Sequence, residues 1–587
     1  MGVGVLALVA LGLAMAPAQG QSSPSPSQEQ KVTFTVGVTG DLNSANPLRQ
    51  YDAAEFFVQG LMYDSLTRRA QKDYAIEPEL AESWETSSDG LTWTFRLREG
   101  LTWSDGTPLT AEDFAWTGNF IVDHDISSYS DGYPYTDSIV AADDRTIVWT
   151  TTKPTLVPEL PGNTLLLPKH VWGGFTEKEL KQFRNFPNPV ASGAFNLVEW
   201  VQGEFWRMEA NPKYWGERPH IDEIVFRVYN SPESVVQALL KGAIDTTQIP
   251  TAALFEAVRG TSGIGTAVDS AEGFYQMSFN MADDPKSTVH PALLDVRVRD
   301  AISRAIDRKT LIERVLHGYA TPGTTPIVPL YDYWHWEPPP EEARPFDLDE
   351  ANRILDDAGY LDTDGDGVRE MPGGGRPLDV RLYVEVGDTD AVRAAPFIEN
   401  WLRDIGFDVT RQAIKDTKLY DIWVYDLDWD MLIYSWGTTP DPDFLLSSFT
   451  THQCGYWSDT CYSNPEYDRL YLEQQSTLDP ARRQEIVREM QQIVYRDIPE
   501  IVLWYPNFFE AWRSDRWTGF VRWPEPDGVV FWENFYSARS VRPLAGVSIA
   551  SSEGGPPGWA WLVGVTVLGL AIGGAGIRHR RLDTYYA

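Results

Sequence analysis

The segment DTDGDGVRE, residues 362–370, has acidic residues at alternate positions, as cation-binding loops do. Its first, third and fifth residues are aspartates and its sixth is glycine, which matches the start of an EF-hand calcium loop. Position twelve, where an EF-hand has a bidentate glutamate, is Gly373. The segment therefore fits either a structural Ca²⁺ site or a plain turn between a helix and a strand. The candidate ligands are the carboxylates of Asp362, Asp364, Asp366 and Glu370.

The chain contains only two cysteines, Cys454 and Cys461, in the segment CGYWSDTC. A close pair of cysteines in an exported protein usually forms a disulfide. A metal site would need further ligands, and only His452 stands nearby. We therefore expect a disulfide, and closing so short a loop contributes about 2.5 kcal/mol in the chain-entropy model.

Sequence signatures of common enzymes are absent from the chain. It contains no P-loop, no H-E-x-x-H, no G-x-S-x-G and no glycine-rich dinucleotide fingerprint, and its eight histidines have no metal-ligand spacing. Asp428 and Asp430 lie on one face of a predicted strand, as the paired carboxylates of a glycosidase would, but such pairs are common in a chain with 84 acidic residues. We therefore predict that the protein is not an enzyme and requires no cofactor.

The net charge of the chain is −35, which argues against binding to nucleic acid or to anionic lipid surfaces. An acidic surface of this kind favours cationic ligands, and it also serves solubility alone. No nucleic-acid partner is expected.

Predicted strands and helices alternate along the central part of the chain. Apolar patterns predict strands at Lys31–Val38, Leu91–Leu97 and Ile221–Tyr229. Ser231 is the N-cap of one predicted helix, and Gly359 ends another. The roughly 510 residues between the two apolar ends are too many for a single core. We therefore expect two or three α/β lobes with mixed sheets.

The C-terminal segment 559–577 carries no charge and would span roughly 28 Å as a helix, close to the ~30 Å hydrocarbon core of a bilayer. The basic residues that follow predict a cytoplasmic tail, 578–587, and place the preceding chain outside the cell. The pattern therefore predicts a C-terminal transmembrane helix that follows a linker, 543–558. A buried C-terminal helix is the alternative.

The N-terminal residues 1–18 resemble a signal peptide with an A-x-A cleavage site, although a charged leader is missing. A Ser/Pro/Gln-rich spacer follows at residues 19–30. Together with the C-terminal helix, this pattern predicts a body tethered at the extracellular face of a prokaryotic cell membrane.

Between these ends, six blocks of sequence resemble the substrate-binding proteins of ABC importers, family 5, the cluster that serves peptides, nickel complexes and some oligosaccharides. They occur in the order of that family and extend over nearly the whole region. The blocks are LNSANPLRQYDAAEFFVQGLMYDSLTR, PELAESWETSSDGLTWTFRLREGLTWSDGTPLTAEDF, ASGAFNLVEWVQGEFWRMEANPKYWGERPHIDEIVFRV, DVRVRDAISRAIDRKTLIERVL, EANRILDDAGY and SWGTTPDPDFL.

The resemblance implies an α/β fold, a periplasmic-binding-protein-like clamshell of the cluster C type with an extra inserted domain. Such proteins close on a ligand held between two lobes, and the ligand stabilises the closed form. The implied boundaries are 31–74, 190–283 and 500–542 for lobe I, 75–189 for the inserted domain and 284–499 for lobe II. The implied partners are an ABC permease with its ATPase, and the protein itself is expected to be a monomer.

Peptide-binding members of the family resemble one another in an acidic residue within a W-x-A-D-Y-x-x-P loop, which holds the α-ammonium group of the ligand. The matching loop here is SWGTTPDPDF, and counting back from Pro442 puts Thr438 at the acidic position. An ammonium group without an anionic partner is poorly held in a buried site. Peptide capture would then depend on an offset acid, Asp441. The predicted ligand-binding residues are Tyr275, Asn280, Trp436, Thr438 and Asp441.

These features predict a membrane-tethered solute-binding protein that captures a peptide-like or other oligomeric solute for an ABC importer. An oligosaccharide-binding member of the same family is one alternative, since the 23 tryptophans offer surfaces for sugar rings. A tethered solute sensor without transport is another, and neighbouring permease and ATPase genes would distinguish it from an importer.

Overall fold

The computed structural model describes residues 31–49, 53–124, 135–156 and 165–547, together with Tyr133. The predicted signal peptide and C-terminal helix lie outside these residues. Among the described residues, no helix is long and apolar enough to cross a membrane.

The described strands are numbered in chain order. They are β1 (Thr33–Val38), β2 (Thr67–Arg69), β3 (Ile76–Pro78), β4 (Ala81–Thr86), β5 (Thr92–Leu97), β6 (Thr136–Asp143), β7 (Thr146–Thr151), β8 (Phe195–Val201), β9 (Phe205–Ala210), β10 (Glu223–Val228), β11 (Thr246–Ile249), β12 (Ile264–Ser270), β13 (Gly273–Phe279), β14 (Ala320–Pro322), β15 (Asp379–Glu385), β16 (Asp408–Ile414), β17 (Met431–Gly437), β18 (Glu500–Arg513), β19 (Trp517–Thr518) and β20 (Arg542–Pro543).

The α-helices are numbered in the same way. They are α1 (Ala53–Met62), α2 (Ala111–His124), α3 (Lys169–Trp172), α4 (Glu177–Gln182), α5 (Pro232–Leu240), α6 (Ala252–Val258), α7 (Val296–Ala305), α8 (Arg308–Arg314), α9 (Leu348–Asp357), α10 (Thr389–Asp404), α11 (Asp416–Tyr420), α12 (Asp443–Ser447), α13 (Pro465–Ser476), α14 (Pro480–Asp497) and α15 (Phe535–Ser540). A π-helical turn (Asp421–Asp426) follows α11, and short 3₁₀ turns occur at Pro47–Arg49, Pro291–Leu294 and Thr451–Gln453.

A twelve-stranded sheet connects most of the described chain, in the order β16-β15-β17-β13-β18-β11-β1-β10-β9-β8, with β12 and β14 also paired to β18. The first half of β18 pairs with β13 and β14, and its second half pairs with β11 and β12. The pairs β1·β10 and β15·β16 are parallel, whereas the pairs made by β18 are antiparallel. The sheet is therefore mixed, as the alternation of elements predicts.

Two large hydrophobic cores lie along the chain. One contains buried residues from Phe34 to Phe226 together with Trp517 and the start of α15, and it includes the four-stranded sheet β4-β5-β7-β6. The other contains buried residues from Met277 to Trp504. The division of the chain into lobes stays a prediction.

The predicted elements and disulfide agree closely with the structure. The three predicted strands are β1, β5 and β10, which are shorter than predicted by two, one and three residues respectively. Ser231 caps α5 through its hydroxyl, which accepts a hydrogen bond from the Ser234 amide. Cys454 and Cys461 form the expected disulfide, with their Cα atoms 4.5 Å apart.

Candidate functional site

The predicted binding loop begins where β13 and β17 lie side by side. Gly273 pairs with Gly437, and Phe274 pairs with Trp436. A Cβ atom on Gly273 would lie 2.6 Å from the Trp436 carbonyl oxygen, so glycine permits the close approach of the two strands here. The Thr438 amide then donates to the Glu272 carbonyl at 2.8 Å, which fixes the loop beside the residue that precedes β13.

Trp436 is half-buried at the end of β17. Its indole Nε1–H donates to a carboxylate oxygen of Asp459, and its ring meets Phe444 edge to face at a centroid distance of 6.0 Å. These contacts fix the indole, and its partly exposed surface remains available to a ligand.

Thr438 is 8% exposed and lies at the centre of the loop. Its carbonyl accepts a hydrogen bond from the Tyr331 hydroxyl at 3.3 Å. Its own hydroxyl is buried and has no hydrogen-bond partner among the described residues. A buried hydroxyl without a hydrogen-bond partner costs stability.

Asp441 is buried and forms a two-pronged ion pair with Arg483 of α14, with N–O distances of 2.6 and 2.8 Å. The Arg483 guanidinium also lies over the Trp334 ring, 4.9 Å from its centroid. Burial alone would raise the pKa of Asp441, but the charge and hydrogen bonds of Arg483 hold it below its ordinary value. Asp441 is thus a paired anion within the loop.

The other two predicted residues lie apart from the loop. Asn280 is fully buried, and its amide donates to the carbonyls of Leu427 and Trp429, so it joins β13 to the segment before β17. Tyr275 follows Phe274 on β13 and therefore faces the opposite side of the sheet, where it stacks on Trp504 at 4.7 Å. Of the five predicted ligand-binding residues, the structure places Trp436, Thr438 and Asp441 together in the loop.

A partly buried glutamate beside Thr438, Glu272, was missed by the sequence analysis. The Glu272 carboxylate accepts a hydrogen bond from the Tyr74 hydroxyl, and the Tyr331 side chain hydrogen-bonds to the same carboxylate. Burial raises the pKa of Glu272 and also those of both tyrosines. The Tyr74 and Tyr331 rings are 5.9 Å apart, and Tyr74 meets Trp523 at 5.3 Å. Two tyrosines from distant segments thus contact one carboxylate, and Trp523 packs against one of them.

Further charged groups interact with this cluster. Burial, together with the charge of Glu272, raises the pKa of Glu533 to about 7. Burial lowers the pKa of Arg69, whose guanidinium donates to the Tyr74 carbonyl at 3.2 Å. Asp443 receives a hydrogen bond from Gln474, and burial raises its pKa. Among the described residues, neither Glu272 nor Glu533 forms a salt bridge.

The acidic loop after α9 brings its four candidate ligands together, with one oxygen of each within 4.8 Å of the others. Asp362 accepts hydrogen bonds from the amides of Gly365 and Gly367, and the buried Glu370 accepts two from Thr363. These bonds suit a self-contained turn, and the convergent carboxylates suit Ca²⁺. The calcium site stays a prediction.

Asp428 and Asp430, the carboxylate pair considered for glycoside hydrolysis, both form salt bridges with Arg381. Arg381 binds Asp428 at 2.5 Å and Asp430 at 2.7 Å, and Asp430 also accepts a hydrogen bond from the His290 amide. Carboxylates held by one arginine in this way serve to join strands β15 and β17.

Comparison with known proteins supports the resemblance seen in the sequence. Residues 75–457 match the family model described as bacterial extracellular solute-binding proteins, family 5 Middle. The chain is 26% identical over 489 residues to the oligopeptide-binding protein AppA of Bacillus subtilis, covering 80% of this chain and 86% of that protein. It is 27% identical over 454 residues to the nickel-binding periplasmic protein of Escherichia coli, covering 75% and 83%.

Solved structures share the fold. A periplasmic oligopeptide-binding protein of Thermotoga maritima has a TM-score of 0.75 at 23% identity, covering 88% of this chain and 100% of that one. Its complex with mannohexaose has a TM-score of 0.66 at 23% identity, covering 88% and 99%. These similarities show a mixed α/β fold of the periplasmic-binding-protein type.

The Asp441–Arg483 pair predicts a large stability effect. Replacing Asp441 with Asn removes the carboxylate that Arg483 contacts and should lower the free energy of unfolding by about 3–5 kcal/mol. Asp357→Asn, which alters an exposed pair with Arg353, is the control and should cost less than ~1 kcal/mol. Urea unfolding of both variants measures the difference. Equal losses would contradict the importance assigned to the buried pair.

Glu533 predicts a pH dependence. Its folded-state pKa of about 7 lies above the unfolded value, so its protonated form stabilises the fold at low pH. That contribution should be lost as the pH rises from roughly 4 through 7. Glu533→Gln stays neutral, so its thermal unfolding midpoint should rise relative to wild type between pH 5 and pH 8. A difference that is constant across this range would contradict the prediction.

Proposed function

The chain belongs to family 5 of the bacterial extracellular solute-binding proteins, and we propose that it binds a peptide-like solute with a positively charged group and delivers it to an ABC importer. Proteins of this family bind solutes for transport, so the function is binding rather than catalysis. A curated relative is named as an oligopeptide-binding protein, which supports a peptide-like ligand.

The observation that carries the proposal is a group of acids near Thr438, of which Asp441 is buried and the other three are partly buried. Glu272 and Asp441 interact electrostatically with Arg69, and Asp441 and Asp443 interact with Arg483. Glu533 interacts with Glu272, and Arg483 already pairs with Asp441. Burial raises the pKa values of the other three, and the charges of Arg69 near Glu272 and of Arg483 near Asp443 offset this only in part. The four acids are Glu272, Asp441, Asp443 and Glu533. A ligand cation would supply the missing charge.

Glu272 is the acid best suited to this role. Its carbonyl accepts the Thr438 amide, so its backbone lies beside the position that is acidic in peptide-type relatives. We infer that Glu272 replaces that acid, and that the unpartnered Thr438 hydroxyl bonds to the same ligand. Tyr74 and Tyr331, now bonded to the carboxylate, would yield to an ammonium group when it binds.

An oligosaccharide is the second candidate, because aromatic rings surround the same position. Trp436, Tyr74, Tyr331 and Trp523 offer faces of the kind that stack on sugar rings, and one structural neighbour is titled as bound to mannohexaose. A neutral sugar would bond to the carboxylates but would leave their charge uncompensated. We therefore favour the cationic ligand.

We also propose that the two large cores belong to two lobes that close on the ligand. Lobe I would comprise residues 31–74, 190–283 and 500–542, with 75–189 as its inserted domain, and lobe II residues 284–499. The separation of the cores supports this division. Tyr74 and Trp523 would then approach the ligand from lobe I, and Tyr331 and Trp436 from lobe II.

A screen tests the ligand class. The full chain, purified in detergent, is heated with tripeptides, their N-acetylated analogues, mannose oligosaccharides and nickel complexes. A ligand at 100 times its Kd should add roughly 2.7 kcal/mol of stability. We expect stabilisation by free-amine peptides, and weaker stabilisation by the acetylated forms. Stabilisation by oligosaccharides alone would overturn the proposal.

Variants then test the residues. Glu272→Gln should weaken binding of the free-amine peptide about tenfold or more, and leave the acetylated peptide unaffected. Trp436→Ala should lower the binding free energy of both the free-amine and the acetylated peptide by roughly 1–3 kcal/mol. Glu233→Gln, at an exposed site on α5, is the control. Unchanged affinity in Glu272→Gln would exclude this carboxylate, and unchanged affinity in Trp436→Ala would exclude the loop.

We propose that the protein is held at the outer face of the membrane by its C-terminal segment. The uncharged residues 559–577 and the basic residues after them support an anchor.

Deletion of residues 558–587 tests this anchor. The truncated protein should be secreted in soluble form and should keep its ligand affinity, because the deleted segment lies after the binding residues. Fractionation with a carbonate wash is the measurement, and the full chain is the control. A truncated protein that still fractionates with membranes would contradict the proposal.

A further inference from the structure

A second group of buried acids lies beneath Trp436, outside the ligand site. Asp459 and Glu500 are 4% and 8% exposed, and Gln276 between them is fully buried. Each has one side-chain oxygen that is buried and lacks a hydrogen-bond donor among the described residues. The three oxygens are Asp459 Oδ1, Glu500 Oε1 and Gln276 Oε1.

Strand pairing brings these residues together. Ser278 of β13 pairs directly with Glu500 of β18, and Gln276 lies two residues before Ser278 on the same face. The Gln276 amide donates to Ser278 Oγ at 3.0 Å and to Asp459 Oδ2. The amide nitrogen is thus fixed by its two acceptors, and the amide oxygen is left unpartnered.

The charge of this group is uncompensated. Burial raises the pKa of Asp459 to about 7, and burial together with the Asp459 charge raises that of Glu500. Neither carboxyl forms a salt bridge with arginine or lysine in the described part of the chain. Protonation alone would neutralise Glu500. It would still leave Glu500 Oε1 without a hydrogen-bond partner among the described residues.

We propose that Gln276, Asp459 and Glu500 bind a hard metal cation beneath Trp436. Two carboxylate oxygens and one amide oxygen are the donors that Ca²⁺ prefers, and with one carboxyl protonated they also suit Na⁺. The other oxygen of Asp459 accepts the Trp436 indole N–H, so the cation fixes the indole that borders the ligand site. The site is independent of the acidic loop at Asp362.

The test uses the full chain with Asp362→Asn and Asp364→Asn as the parent, so that the loop cannot bind calcium. The protein is stripped with EDTA, and thermal unfolding is followed during titration with CaCl₂, MgCl₂, NaCl or KCl. Choline chloride at equal ionic strength is the salt control. We expect a saturable rise in the unfolding midpoint with one of the metal salts, and one equivalent of that metal by elemental analysis.

Asp459→Asn and Glu500→Gln, made in this parent, should each weaken the metal response about tenfold or more. Glu510→Gln is the matched control, because Glu510 is a buried acid of the same strand that accepts the amides of Val530, Phe531 and Trp532 instead. It should keep the response of the parent. A parent without any saturable response, or a Glu500→Gln variant with the response of the parent, would overturn the proposal. Stabilisation by Glu500→Gln without dependence on any metal would also overturn it, since the carboxyls would then only hold protons.

Discussion

The structure depends on the pairing of one long strand, β18. Its first half is hydrogen-bonded to β13 and β14, and its second half to β11 and β12. The residues at its start are buried among the core that begins at Met277, whereas Phe509 and Ala511 pack with α5 and α6. Because the strand crosses from one group of elements to the other, it fixes where β13 ends, and so where the loop after β17 begins.

The binding loop shows how the fold tolerates buried charge. Asp441 is paired with Arg483, so its charge is compensated within the protein. Glu272 forms no salt bridge among the described residues; it accepts hydrogen bonds from tyrosine hydroxyls, and the charge of Arg69 offsets the effect of its burial only in part. Buried polar groups of this kind cost stability unless something else is gained. Under the proposed function the gain is affinity, since a ligand cation would complete a group of acids that is already assembled.

Local features of the fold could be predicted from the sequence. β1, β5 and β10 follow from apolar patterns, and the start of α5 follows from Ser231, because these signals lie within a few residues of one another. The disulfide follows from two cysteines in one short segment. The family blocks predicted the loop at Trp436, and the structure places Thr438 and Asp441 with it.

The remaining features depend on contacts between distant segments. Tyr74, Glu272 and Tyr331 are separated by about 200 and 60 residues, so no spacing in the sequence links them. Tyr275 stacks on Trp504 of β18, and no local sequence pattern indicates this contact because the two residues are far apart in the chain. Asn280 was selected for its position at a strand end. Its side-chain amide donates hydrogen bonds to the backbone carbonyls of Leu427 and Trp429.

The central claim is that the Glu272 carboxylate binds the positive charge of the ligand. A crystal structure of the protein with its highest-affinity ligand tests it most directly. We expect a ligand ammonium or guanidinium nitrogen within roughly 2.7–3.2 Å of Glu272, with Tyr74 displaced from that carboxylate. A ligand bound at the loop with no cationic group near Glu272, and with the Tyr74–Glu272 hydrogen bond intact, would contradict the claim.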